Sequence, residues 1–185
     1  MIMTEKPFIT RIVPEEFRLD GADSLSITTV KDMASIFLSK SIAATMQDRI
    51  VYRVTKRNVP LESGELLQCI TEILPGDCDG EFFMTKGHGH SNSACAEIYL
   101  GISGRGLVLL QRGNEFQAIE LEKYKSVYIP GGWNHRTVNV SSEDPLVFYS
   151  IWPAQSGYDY DAIFRNPFSK RVFRDGSGYK LVGVQ

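Results

Sequence analysis

Residues 97–132 read EIYLGISGRGLVLLQRGNEFQAIELEKYKSVYIPGG. EIYLGI, GLVLLQ, FQAIEL and SVYIP are short runs rich in branched and aromatic side chains, and Gly-Arg-Gly, Gly-Asn and Pro-Gly-Gly punctuate them. Such runs cannot bury a face as single helices, and the breaks fall where turns need glycine, so the stretch reads as consecutive strands. Working outward, Ile50, Tyr52 and Val54 alternate with Val51, Arg53 and Thr55, and ELLQCITEIL (65–74), EFFMT (81–85) and LVFYSIW (146–152) continue the series. RVFRDGSGYKLVGV (171–184) reads as a final hairpin turning at Asp175-Gly176-Ser177-Gly178. Turn signals spaced by about 8–12 residues with no βαβ rhythm predict an all-β sandwich or barrel.

One region departs from the pattern. In TTVKDMASIFLSKSIAATMQ (28–47), Val30, Met33, Ile36 and Phe37 recur at helical spacing, and Thr29 with Asp32 resembles a capping box. This predicts a short helical N-terminal region. Residues 1–28 contain Pro7, Pro14 and Gly21 without a sustained period, and predict an irregular or short-stranded arm that offers no chemistry. The expected organisation is one domain over 1–185, with arm and helix in 1–48 and the barrel core and C-terminal hairpin in 49–185.

Composition narrows the partners. Twenty Lys+Arg against 22 Asp+Glu give a net charge of −2, without the basic excess that phosphate-backbone binding requires, so no nucleic-acid partner is expected. The N-terminal residues hold no apolar run of signal-peptide length and no stretch is long enough to span a bilayer, which predicts a cytoplasmic protein with no membrane partner. Cys69, Cys78 and Cys95 are odd in number and lack metal-knuckle spacing, so reduced structural thiols are expected.

The three histidines carry the chemistry. His88 and His90 are two apart, so on a strand both imidazoles leave the same face. Glu97 and Tyr99 repeat that spacing after a six-residue connection, and further downstream the tight turn Pro130-Gly131-Gly132 can aim His135 at the same point from a later hairpin. Three neutral imidazoles and one carboxylate suit Fe(II), Mn(II), Ni(II), Co(II) or Zn(II), with room for substrate as a further ligand.

His88-x-His90, six residues, Glu97, six residues, Gly104 resembles the first cupin motif, and Pro130-x-Gly132-x-x-His135-x-x-x-Asn139 resembles the second. EFFMTKGHGH, AEIYLGISGRGLVLLQ, VYIPGGWNHRTVN and SIWPAQSGYDYDAI together resemble the cupin-type glucose-6-phosphate isomerases first known from archaea, over roughly residues 50–170. The resemblance implies a single cupin jelly-roll β-barrel, a homodimer, and one divalent ion per subunit, Fe(II) in first place, held by His88, His90, Glu97 and His135. It further implies that Tyr52, Thr71, Thr85 and Gly87 contact a sugar phosphate and that Tyr99, Tyr158 and Tyr160 line its pocket. Tyr158 stands where the archaeal enzymes carry histidine, and Gly132 where they carry a pocket tyrosine. The activity implied is interconversion of glucose 6-phosphate and fructose 6-phosphate in glycolysis and gluconeogenesis.

Moving a hydrogen between C1 and C2 requires a base and an electrophile for the developing oxyanion. Glu97 is the base candidate beside Tyr99, and the ion is the electrophile. If Glu97 remains bound to the ion, a metal-assisted hydride shift replaces proton transfer through an enediol. The same donor set also supports an Fe(II) dioxygenase or a non-catalytic sugar-phosphate-binding cupin.

Overall fold

The computed structural model describes residues 6–13 and 15–184. Strands β1 (Arg11–Val13), β2 (Arg18–Asp20) and β3 (Ser24–Thr29) open the chain, and α1 (Lys40–Thr45) follows. Then come β4 (Ile50–Arg57), β5 (Leu66–Ile73), β6 (Asp77–Cys78), β7 (Glu81–Phe82), β8 (Glu97–Ser103), β9 (Arg105–Arg112) and β10 (Glu115–Glu122). β11 (Ser126–Ile129), β12 (Asn134–Asn139), β13 (Leu146–Pro153), α2 (Ala162–Arg165), β14 (Lys170–Asp175) and β15 (Gly178–Gly183) complete it.

Six strands form one antiparallel sheet in the order β11-β8-β13-β5-β4-β3. Facing it are β10-β9-β12 and β15-β14-β7-β6. The segment after β7 runs beside β12 through the bridges Met84↔Val138 and His88↔His135. Ile73, Phe82, Phe83, Leu107, Leu121 and Phe148 pack within one buried cluster. The alternation along β8 is visible in its burial: Glu97, Tyr99 and Gly101 are buried, whereas Ile98 and Leu100 face out.

The expected hairpin at 171–184 forms, pairing Asp175 with Gly178 across a two-residue turn. All three cysteines are free and buried. Among the described residues no helix is long and apolar enough to cross a membrane.

The helical region read over 28–47 is discontinuous and shorter than its apolar spacing suggests. Thr28 and Thr29 end β3, Lys31–Met33 make a single 3-10 turn, and only Lys40–Thr45 is α-helical. Asp32 accepts hydrogen bonds from the Thr29 N–H and hydroxyl, both at 2.8 Å, and so closes a turn at the strand end. Val30, Met33, Ile36 and Phe37 are nonetheless buried. Their spacing reflects a plug of apolar side chains against the barrel, a pattern that short turns satisfy as well as a helix does. The turn at Pro130–Gly132 leads into β12, which carries His135 as a strand residue.

β3 also corrects the reading of the arm as chemically silent. It is the edge of the six-stranded sheet, and its residues Ser24, Ser26 and Thr28 enter the main cavity.

Candidate metal centre and substrate cavity

His88 and His135 sit opposite one another, their backbones exchanging hydrogen bonds of 3.1 and 2.9 Å. Directly paired residues project from one face, and the two rings lie 4.3 Å apart between centroids. The pairing from Met84↔Val138 to His88↔His135 takes one more residue on the first strand than on the second, so a bulge re-aims His88. Gly87 accommodates it with φ +78°, where a Cβ would lie 3.0 Å from the His135 carbonyl and 3.1 Å from the Arg136 Cβ. Gly87→Ala therefore loses about 1–2 kcal/mol to the left-handed backbone, and thermal melting will show a Tm lower by roughly 5 °C.

Gly89 exchanges backbone hydrogen bonds with Asp159, of 3.0 and 2.8 Å. That pairing sets Tyr158 and Tyr160, the neighbours of Asp159, beside the histidine segment. Tyr158 packs edge-on against His88 at 5.2 Å and stacks on Tyr160 at 5.9 Å. Burial pushes both phenols above their ordinary pKa, so both remain protonated donors at neutral pH.

The ligand atoms of His88, His90, Glu97 and His135 all lie within 4.8 Å of one another. His135 Nε2 and His90 Nε2 approach Glu97 Oε2 to 3.1 and 3.4 Å. Yet Nε2 of all three histidines and Oε2 of Glu97 are buried without a partner in hydrogen-bond geometry. Four converging, unsatisfied buried acceptor atoms are costly for a fold to maintain unless an ion completes them, so this ligand set fits a divalent metal. The backbone orients two of the rings. His90 Nδ1–H donates to the Cys95 carbonyl at 2.9 Å and His135 Nδ1–H to the Trp133 carbonyl at 3.3 Å, which leaves each Nε2 lone pair free. Burial and the neighbouring His135 keep the His88 imidazole neutral, well below its usual range. Burial works to raise the Glu97 carboxyl, but contacts with His135 and His90 override it and hold the group at about 2.

A cavity of about 680 Å³ opens beside this cluster. Tyr52, Thr71, Thr85, Gly87, Tyr99, Tyr158 and Tyr160 all line it, together with His88 and Glu97. The period of two explains the grouping. Ser24, Lys56, Cys69, Ser150 and Tyr99 occupy one row across the sheet, and Ser26, Val54, Thr71 and Phe148 the next. Thr71 thus lies two rows from Glu97, four residues along the strands or about 13 Å. Thr85 Oγ1 accepts the Thr137 N–H at 3.0 Å, leaving its own proton free.

Ser24, Ser26, Thr28, Ser35, Lys56 and Ser150 also line the cavity and were not among the sequence candidates. The alternation of Ser24, Ser26 and Thr28 was the available signal, but it acquires meaning only once β3 pairs with β4. Gly132 does not line the cavity; its φ of +79° belongs to the turn before β12, a conformation in which a tyrosine at this position would be strained.

The family described as Glucose-6-phosphate isomerase (GPI) matches residues 28–178. A glucose-6-phosphate isomerase of Thermococcus gammatolerans is 36% identical over 181 residues, spanning 96% of this chain and 95% of that protein. One from Pyrococcus horikoshii is 34% identical over 184 residues, spanning 97% and 96%. Among solved structures, an oxalate oxidase superposes with a TM-score of 0.50 at 16% identity, covering 61% of this chain and 56% of that one, a likeness of barrel fold alone. A match that begins at the end of β3 and runs into the C-terminal hairpin takes in all of the cavity lining but Ser24 and Ser26, and the chain belongs to the glucose-6-phosphate isomerase family, in its cupin-barrel form.

Proposed function

We propose that this chain interconverts glucose 6-phosphate and fructose 6-phosphate, with the reacting carbons beside Glu97 and the phosphate near Thr71, Thr85 and Tyr52. The observation that carries the reading is the placement of four orphaned ligand atoms at one end of a 680 Å³ cavity whose hydroxyl-lined part lies about 13 Å away along the strands. That span accommodates an extended six-carbon phosphate.

His88, His90, Glu97 and His135 hold the ion, for which the three-imidazole, one-carboxylate set suits Fe(II). When bound, a divalent ion supplies Lewis-acid polarisation of a substrate oxygen. The protein's own groups do the rest. Hydroxyls of Thr71, Thr85 and Tyr52 and the Gly87 backbone N–H donate to the phosphate, and Lys56 and Lys86, both lining the cavity, add positive charge. Tyr99, its phenol pushed well above its ordinary pKa by burial, remains a proton donor toward the sugar. Glu97, lining the cavity, is the base that moves the proton between C1 and C2 if it leaves the ion; if it stays bound, the hydrogen passes directly between the carbons as a hydride.

Glu97→Gln tests that role, since the amide keeps the shape and loses the basicity. The rate in a coupled isomerase assay should fall at least about 10²-fold. Full activity with normal metal content excludes Glu97 as the base. The family resemblance further supports a cytoplasmic homodimer. Leu25 and Ile27, 59% and 49% exposed on edge strand β3, provide an apolar strip for a second copy, and light scattering will report the mass.

A further inference from the structure

A second cavity, of about 490 Å³, takes no part in this chemistry. It lies beyond the Thr85–His88 segment, between β12, the Gly113-Asn114 turn of the β9–β10 hairpin, and the chain running from α2 into β14. Arg136 forms one wall and is 5% exposed. Its Nε and Nη2 donate to the Lys86 carbonyl at 3.2 and 2.7 Å, and its guanidinium lies 4.7 Å from the Phe168 ring centroid.

Charge around Arg136 is not balanced. Glu81, the nearby buried carboxylate, is engaged by Arg171 at 2.6 Å and by the Leu38 N–H at 2.8 Å. Among the described residues no carboxylate forms an ion pair with Arg136, and no Asp or Glu lines the cavity. Burial lowers the guanidinium to about 10, so it remains a cation at neutral pH. An uncompensated buried cation costs several kcal/mol, a cost that an anion in the adjoining space would offset. Ile36, Phe164, Pro167 and Phe168 supply apolar walls, and the volume falls in the range of small-molecule pockets, roughly 300–1,000 Å³.

We propose that this cavity is a second, non-catalytic binding site for a small metabolite bearing a phosphate or carboxylate, whose anionic group pairs with Arg136. Two features connect it to the barrel cavity. Ser35, Ile36, Ile163 and Phe164 line both spaces, and the carbonyl that Arg136 holds belongs to Lys86, between Thr85 and Gly87. Occupancy therefore bears on the segment that faces the substrate phosphate.

Isothermal titration calorimetry on the metal-loaded protein tests the site. No sugar phosphate is present, since its phosphate would compete for Arg136, and the variants assign the binding to one cavity or the other. The probe is 3-phosphoglycerate, with inorganic phosphate and lactate in parallel arms to separate phosphate from carboxylate recognition. One site per chain is expected. Asn114→Asp, which sets a carboxylate at the exposed rim, should weaken it about tenfold, and Arg136→Met should remove it, with melting curves confirming that the variant is folded. Thr71→Val, in the barrel cavity, should leave it unchanged. No binding in any arm, indifference to Asn114→Asp, or loss of binding with Thr71→Val overturns the proposal.

Discussion

His135→Ala lowers the isomerase rate roughly 10⁴-fold and strips the ion from an otherwise folded protein. The expectation rests on where the side chain stands. His135 is 2% exposed, its Nε2 has no hydrogen-bond partner, and it lies 3.1 Å from Glu97 Oε2 at the centre of the cluster. A Lewis acid at a developing oxyanion contributes several kcal/mol of transition-state stabilisation, and each 1.4 kcal/mol or so is about a factor of ten in rate. The fold should survive, because the cross-strand bonds to His88 are made by backbone groups and remain after truncation. Metal analysis, circular dichroism and the coupled assay report the three parts of this outcome. Thr137→Val is the control on the same strand: the Thr137 hydroxyl is buried without a partner, so its removal should cost little and leave the metal content unchanged. Full activity and normal metal content in His135→Ala would remove His135 from the centre.

The parts of this site legible in the sequence are those governed by a short-range period. His88 and His90, and Glu97 and Tyr99, each share a face because strands alternate, and the sequence spacing alone conveys it. The turn glycines before β9 and in the final hairpin are legible for the same reason. What was not legible depends on register between distant strands. Ser24 and Ser26 look like unremarkable edge residues until β3 pairs with β4, which sets Ser24 opposite Lys56 and Ser26 opposite Val54. The bulge that turns His88 toward His135 is likewise a difference between two strands, and Gly87 by itself does not announce it. The 28–47 segment failed in the opposite direction. Its apolar spacing was genuine, and its burial is observed, but burial of four side chains does not require the continuous backbone ladder of a helix.

That segment also supplies the second large effect. Glu81→Ala should lose about 3–5 kcal/mol of stability, a fall in Tm of roughly 10 °C for a chain of this size. Glu81, 1% exposed on β7, accepts Arg171 Nη1 through Oε1 and the Leu38 N–H through Oε2. Arg171 Nη1 also donates to the Ile36 carbonyl at 2.9 Å. One carboxylate thus ties β7, β14 and the 36–38 turn together, and its loss leaves a largely buried guanidinium and an amide without their acceptor. Because Ser35 and Ile36 line the barrel cavity, loosening this turn should raise KM for fructose 6-phosphate while metal content stays constant. Lost packing predicts the same fall in Tm, so a second variant is needed. Replacing both members, Glu81→Leu with Arg171→Met, removes the charges together and should restore most of the stability, because the large penalty belongs to a charge stranded without its partner. A double variant as unstable as Glu81→Ala would instead assign the cost to shape.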